Sequence, residues 1–91
     1  MALTSKAIDA RGQAIRKGDR VRIVGLPDLS GMKPARRAET EPVFQHIRGA
    51  CKRVRGFDQS GHVELTFGIR HGRHAGYHAV WIEPWLLFVQ R

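Results

Sequence analysis

The segment His62-Val63-Glu64-Leu65-Thr66-Phe67-Gly68-Ile69 constrains the fold more than any other part of the chain. Val63, Leu65, Phe67 and Ile69 recur every second residue, with His62, Glu64 and Thr66 between them. A period of two places the apolar set on one side of an extended strand and the polar set on the other, so one face is buried and one is wet. Arg20-Val21-Arg22-Ile23-Val24 repeats the pattern, with Val21 and Ile23 inward and both arginines outward, after a turn at Lys17-Gly18-Asp19. Cys51 to Phe57 reads as a second strand, bent or bulged at Gly56. Asp58-Gln59-Ser60-Gly61 is a turn in which Gly61 can take positive φ. Tyr77 to Ile82 reads as a fourth strand, Glu83-Pro84-Trp85-Leu86 as one 3₁₀ turn, and Leu87-Phe88-Val89 as a closing strand.

Between the first two strands, Gly25 to Ala38 reads as a long loop carrying Lys33, Arg36 and Arg37. A short helix over Pro42–Arg48 follows. Thr40 can cap it, Pro42 suits its first turn, Gly49 can end it, and Val43, Phe44 and Ile47 form its apolar face. Residues 1–16 show no clear apolar period and read as a flexible or loosely docked arm. Residues 17–91 then form one domain, since 91 residues leave no room for a second core. Five short strands need covered edges, and closure into a small barrel supplies them. The expectation is all-β: a five-stranded SH3-like barrel with a short helical insert after the first strand and a 3₁₀ turn before the last.

These segments carry a resemblance. Lys17 to Val24 looks like the opening strand of SH3-like and KOW-type domains, where a Gly-Asp turn launches a Val-rich strand. Gly49 to Asp58 and Gly61 to Leu65 continue the pattern. His78-Ala79-Val80-Trp81-Ile82-Glu83-Pro84-Trp85-Leu86-Leu87 resembles the ending of small bacterial SH3-like barrel proteins. A similar arrangement closes the barrels of the nitrile hydratase beta subunit and the ferredoxin–thioredoxin reductase variable chain. The likeness covers roughly residues 17–89 and is one of fold. In those larger relatives the barrel is an accessory part and the metal centre sits on a partner subunit. The long Gly25–Ala38 loop departs from KOW domains.

The formal net charge is +8, with 16 Lys+Arg against 8 Asp+Glu. Such a surface attracts nucleic acid, anionic membrane or an acidic protein, although arginine-rich composition also follows from GC-rich codon usage. The single Cys51 allows no internal disulfide. The N-terminus lacks the apolar run of a signal peptide and no stretch suits a membrane span, so a cytoplasmic protein without membrane contact is expected.

Enzymatic chemistry finds little support. His71, His74 and His78 have a spacing that could hold zinc or nickel, but Gly72 and Gly76 loosen the loop and Arg70 and Arg73 repel a cation. Solvated loop histidines, with His78 hydrogen-bonded inside the fold, are the expectation, with no cofactor. Cys51 has no orienting acid nearby in sequence and reads as a buried or half-buried strand residue. Asp58 reads as a turn former and Glu64 as an outward strand residue rather than an acid–base pair. No phosphate-cradling loop is present.

Binding surfaces are better represented. Arg20, Arg22, Arg53 and Arg55 fall on one face if their strands pair, with Lys17 and Lys52 at its margins. Guanidinium forks suit phosphates or carboxylates, and a solvated basic face is the plain alternative. Tyr77, Trp81 and Trp85 suit a docking rim or a stacking platform, or simple packing at the barrel's end. The expected function is non-catalytic: a binding or accessory module that docks an acidic or apolar partner protein. The alternative is a basic module binding RNA or DNA through its arginines.

Overall fold

The computed structural model describes residues 7–90. The strand pattern folds as read: β1 (Arg20–Ile23), β2 (Cys51–Phe57), β3 (Val63–Ile69), β4 (Gly76–Ile82) and β5 (Leu87–Gln90), with a 3₁₀ turn (Pro84–Leu86) before the last strand. They form one antiparallel sheet in the order β4-β3-β2-β1-β5. β2 serves two ladders. Its first half pairs with β1, Arg20 opposite Arg53 and Arg22 opposite Cys51, and its second half pairs with β3, Val54 opposite Leu65 and Gly56 opposite Glu64. Between Val54 and Gly56 the register slips, so Arg55 is the extra residue of a β-bulge, which bends and twists the strand where the two ladders meet.

The expected closed barrel is not formed. β4 and β5 are the two edges of the sheet, and no ladder joins them. The side of β5 that closure would need is already occupied by residues 9–11.

Those residues belong to the segment expected as an arm. Residues 1–6 of it lie outside the described residues, and residues 7–15 make a miniature hairpin: Ile8 bridges Ala14, the Ile15 amide donates to the Ala7 carbonyl at 2.9 Å, and Ala7 and Ile15 are buried. Gly12, at φ 84°, takes the left-handed conformation this reversal requires.

A second correction concerns the insert. Helix α1 spans Pro34–Ile47, so residues 34–38 of the expected loop are helical, Thr40 is no cap and Pro42 lies inside the helix. Pro34 suits the first helical position, and Ala35, Arg36, Arg37, Ala38, Glu39 and Glu41 all lose little entropy in a helix. None of residues 34–42 is buried, whereas Val43, Phe44 and Ile47 enter the core. There they join Val21, Ile23, Val54, Val63, Leu65, Ile82 and Leu87, of which each contributes about 1.5–3 kcal/mol by leaving water. At the turn after β1, Gly25 lies so close to the 3₁₀ turn that a Cβ there would meet Leu86 Cδ2 at 2.9 Å. The Val24 amide donates to the Leu86 carbonyl at 2.9 Å across the same junction. Among the described residues no helix is long and apolar enough to cross a membrane.

Candidate functional site

The outer face of the β2–β1–β5 ladder is basic. Residues directly opposite one another share a face, so Arg20, Arg53 and Gln90 form one row and Arg22, Cys51 and Phe88 the next. No carboxylate occupies these positions. Like charges set directly opposite repel, and Arg20 and Arg53 are such a pair. Arg53 Nη1 donates to the Gly18 carbonyl at 2.7 Å and Arg22 Nη1 to the Gly49 carbonyl at 2.8 Å. Each anchor uses one of five guanidinium N–H groups and orients the rest. Arg11 extends the face from the N-terminal hairpin, its guanidinium 4.3 Å from the Phe88 ring centre.

Arg55 is exposed at the bulge, in the second ladder and outside these rows. Lys17 is exposed in the turn before β1. Lys52, expected at the margin of the patch, lies opposite Val21 on the inner side, half-buried, with Nζ 5.6 Å from the Phe67 ring centre. Val54 points inward, and strand alternation takes Lys52 with it.

The outer face of the β3–β4 ladder is aromatic. Tyr77 lies opposite Gly68, Ala79 opposite Thr66, and Trp81 opposite Glu64. Tyr77 is 74% exposed and Trp81 47%, and Trp85 on the 3₁₀ turn is 63% exposed. Four residues of strand set Tyr77 and Trp81 about 13 Å apart, with only Ala79 between them.

The candidate metal ligands do not converge. Among the described residues no three His, Cys, Asp or Glu side chains come close enough to hold a metal ion. His78 Nε2 lies 2.7 Å from the His74 carbonyl, which can only accept, so Nε2 carries a proton and is not a free ligand. Its ring stacks on Phe67, centroids 5.7 Å apart, and His46 stacks on Phe67 at 6.4 Å. His71 is exposed and His74 half-exposed in the preceding loop. Cys51 is half-buried opposite Arg22. Asp58 accepts the Ser60 and His62 amides and lies 3.0 Å from His62 Nδ1, a turn-forming role. Desolvation raises its carboxyl, but the His62 amide and imidazole and the Ser60 amide outweigh that and hold it below the ordinary value.

Asp9 escapes the sequence reading altogether. This buried carboxylate accepts the Arg11 amide at 2.9 Å and the Gln13 amide at 2.7 Å on Oδ1, and the Val89 amide at 2.8 Å on Oδ2. Burial raises its pKa, while the Val89, Gln13 and Arg11 amides and the Arg11 charge outweigh it and lower the net value. The local signal was Asp9-Ala10-Arg11-Gly12, Asp opening and Gly ending a four-residue turn. The bond to Val89, across the length of the chain, left no local signal.

The chain matches no protein-family model, no curated protein and no solved structure.

Proposed function

We propose that this chain is a non-catalytic SH3-like binding module that docks a partner protein through the aromatic outer face of β3–β4 and the adjoining 3₁₀ turn. The observation that carries this reading is the exposure of Tyr77, Trp81 and Trp85, at 74%, 47% and 63%. Large aromatics on a strand face normally bury their area, and several left in water suit a surface that another molecule covers. The SH3-like assignment draws on the strand order, the 3₁₀ turn before β5, and the bulged β2 shared between two ladders. The arginines of β1 and β2 would steer an acidic surface into register during encounter.

One observation favours a second reading, a basic module for RNA or DNA: the Arg20–Arg53 row beside Arg22, free of carboxylates at every register position. Phosphates would relieve that repulsion and accept the remaining guanidinium donors.

One pair of experiments separates the two. Capture from a lysate of the source cells should be lost by Tyr77→Ser with Trp81→Ser and retained by Arg20→Glu with Arg53→Glu if the aromatic face docks a protein. Fluorescence anisotropy against labelled RNA and duplex DNA gives the converse. Binding that survives physiological salt and disappears in the arginine variant would replace the protein-docking reading, because phosphate contacts carry the steep salt dependence.

A further inference from the structure

We infer that the partner of the aromatic face is a second copy of this chain, joined antiparallel along the free edge of β4 so that two five-stranded sheets become one. The inference rests on the docking reading above and names its occupant, a chain of net charge +8, so the steering of an acidic surface by the arginines of β1 and β2 is no part of it.

β4 is an open edge of unusual character. Its seven residues, Gly-Tyr-His-Ala-Val-Trp-Ile, contain no proline, lysine, arginine or carboxylate, and its register with β3 runs unbroken from Val63–Ile82 to Ile69–Gly76. Edge strands are normally shortened, charged, bulged or covered, because unpaired backbone groups recruit another strand. Among the described residues none of those devices is present on β4, whereas β5 is short and covered.

The strand's own pattern selects a second copy rather than an unrelated peptide. A two-fold axis at Ala79 sets each Tyr77 opposite the other copy's Trp81, small Ala79 opposite itself, and His78 opposite Val80. The two exposed aromatics of each copy then meet across strands on the outer face, twice per dimer, which is the favourable cross-strand arrangement. Charge at the strand's ends agrees. Arg70, His71, Arg73 and His74 precede β4, Arg73 paired within the chain with Glu39 at 3.2 Å, while Glu83 follows it and Glu64 lies opposite Trp81 at the same end. Antiparallel pairing brings the basic end of each strand to the acidic end of the other; parallel pairing would set like against like. A two-fold contact of this kind is self-complementary, as isologous interfaces must be.

Sedimentation equilibrium of the full chain over a range of concentrations tests this. The unaltered protein should show a reversible monomer–dimer equilibrium. Trp81→Ser should weaken it about tenfold or more, having removed both aromatic pairs. Glu83→Arg should weaken it as well, and adding Arg70→Glu, at an exposed position outside the Arg73–Glu39 pair, should restore it, a rescue that simple loss of structure would not give. A protein monomeric at every concentration, or a dimer indifferent to Trp81→Ser and Glu83→Arg, overturns the inference. A monomer that still captures another protein through Tyr77 and Trp81 removes the second copy and leaves the docking reading standing. Aromatic variants that alter neither self-association nor capture end both.

Discussion

Along the β5 edge, residues 9–11 cover the outward backbone: Ala10 donates to the Leu87 carbonyl at 2.9 Å, Asp9 accepts the Val89 amide, and Arg11 Nη2 reaches the Val89 carbonyl at 3.1 Å. Along the β4 edge, seven residues run with no ladder on their outer side among the described residues. One edge is finished by three consecutive residues that are not themselves a strand of the sheet; the other is left open beside Tyr77 and Trp81. The contrast separates two uses of the same backbone chemistry. A carboxylate and a guanidinium imitate a sixth strand where pairing must stop, and a bare strand with large exposed rings lies where pairing can continue.

The largest expected effect removes the floor beneath the open edge. Phe67, buried on β3, stacks on His78 of β4 and on His46 of α1 and lies under Lys52. Phe67→Ala should cost about 3–5 kcal/mol in denaturant unfolding, a large share of the stability of so small a domain. A folded variant scarcely less stable would show that β4 is held by its backbone ladder alone. Breaking the finished edge comes next. Asp9→Asn keeps the shape but offers one acceptor oxygen in place of two, so either the Val89 amide or the Arg11 and Gln13 amides lose their partner. The expected cost is about 2–3 kcal/mol, with new concentration-dependent association through β5. Because the folded pKa of Asp9 is depressed, its contribution is complete above the unfolded value and is lost as pH falls from about 4 through the folded value. Unfolding followed against pH should show the unaltered protein losing stability in that window while Asp9→Asn changes less. An equal acid response in both would place the sensitive group elsewhere.

Arg11→Ala makes a smaller breach. It removes the bond to the Val89 carbonyl and the contact over Phe88, together about 1 kcal/mol at a partly exposed site. A thermal melt indistinguishable from that of the unaltered protein would assign the cover to Asp9 and Ala10 alone.

How far these edges were legible in the sequence depends on the range of the signal. Period two in Val63–Ile69 and Arg20–Ile23 fixed which side chains enter the core, and parity alone sends Arg20, Arg22 and Arg53 outward. The same parity sends Lys52 inward, a consequence masked by its charge. The start of α1 was hidden because Pro34–Pro42 carries helix propensity without an apolar stripe, and propensity is the weaker signal. Trp81 points outward by alternation with Val80 and Ile82, but its exposure depends on what packs beside β4, which no local pattern records. The Asp9–Val89 bond joins the two ends of the chain and leaves only an ordinary turn as its trace. Closure of the barrel failed as an expectation for the same reason, since a non-local side chain had taken the edge.

The finest test of the contrast leaves stability nearly untouched. In the native state the Val89 amide, bonded to a buried carboxylate, should exchange its hydrogen only through large-scale unfolding, whereas the alternate amides of β4 that face away from β3 have no ladder partner among the described residues and should exchange through local fluctuation. Trp81→Ser, at a half-exposed position, should leave Val89 protected. If a second copy covers the edge, protection of the outward β4 amides rises with protein concentration in the unaltered chain and stays flat in Trp81→Ser. Outward β4 amides as protected as Val89 at every dilution would mean that this edge, too, is covered within a single chain, and the distinction between the two edges would fall.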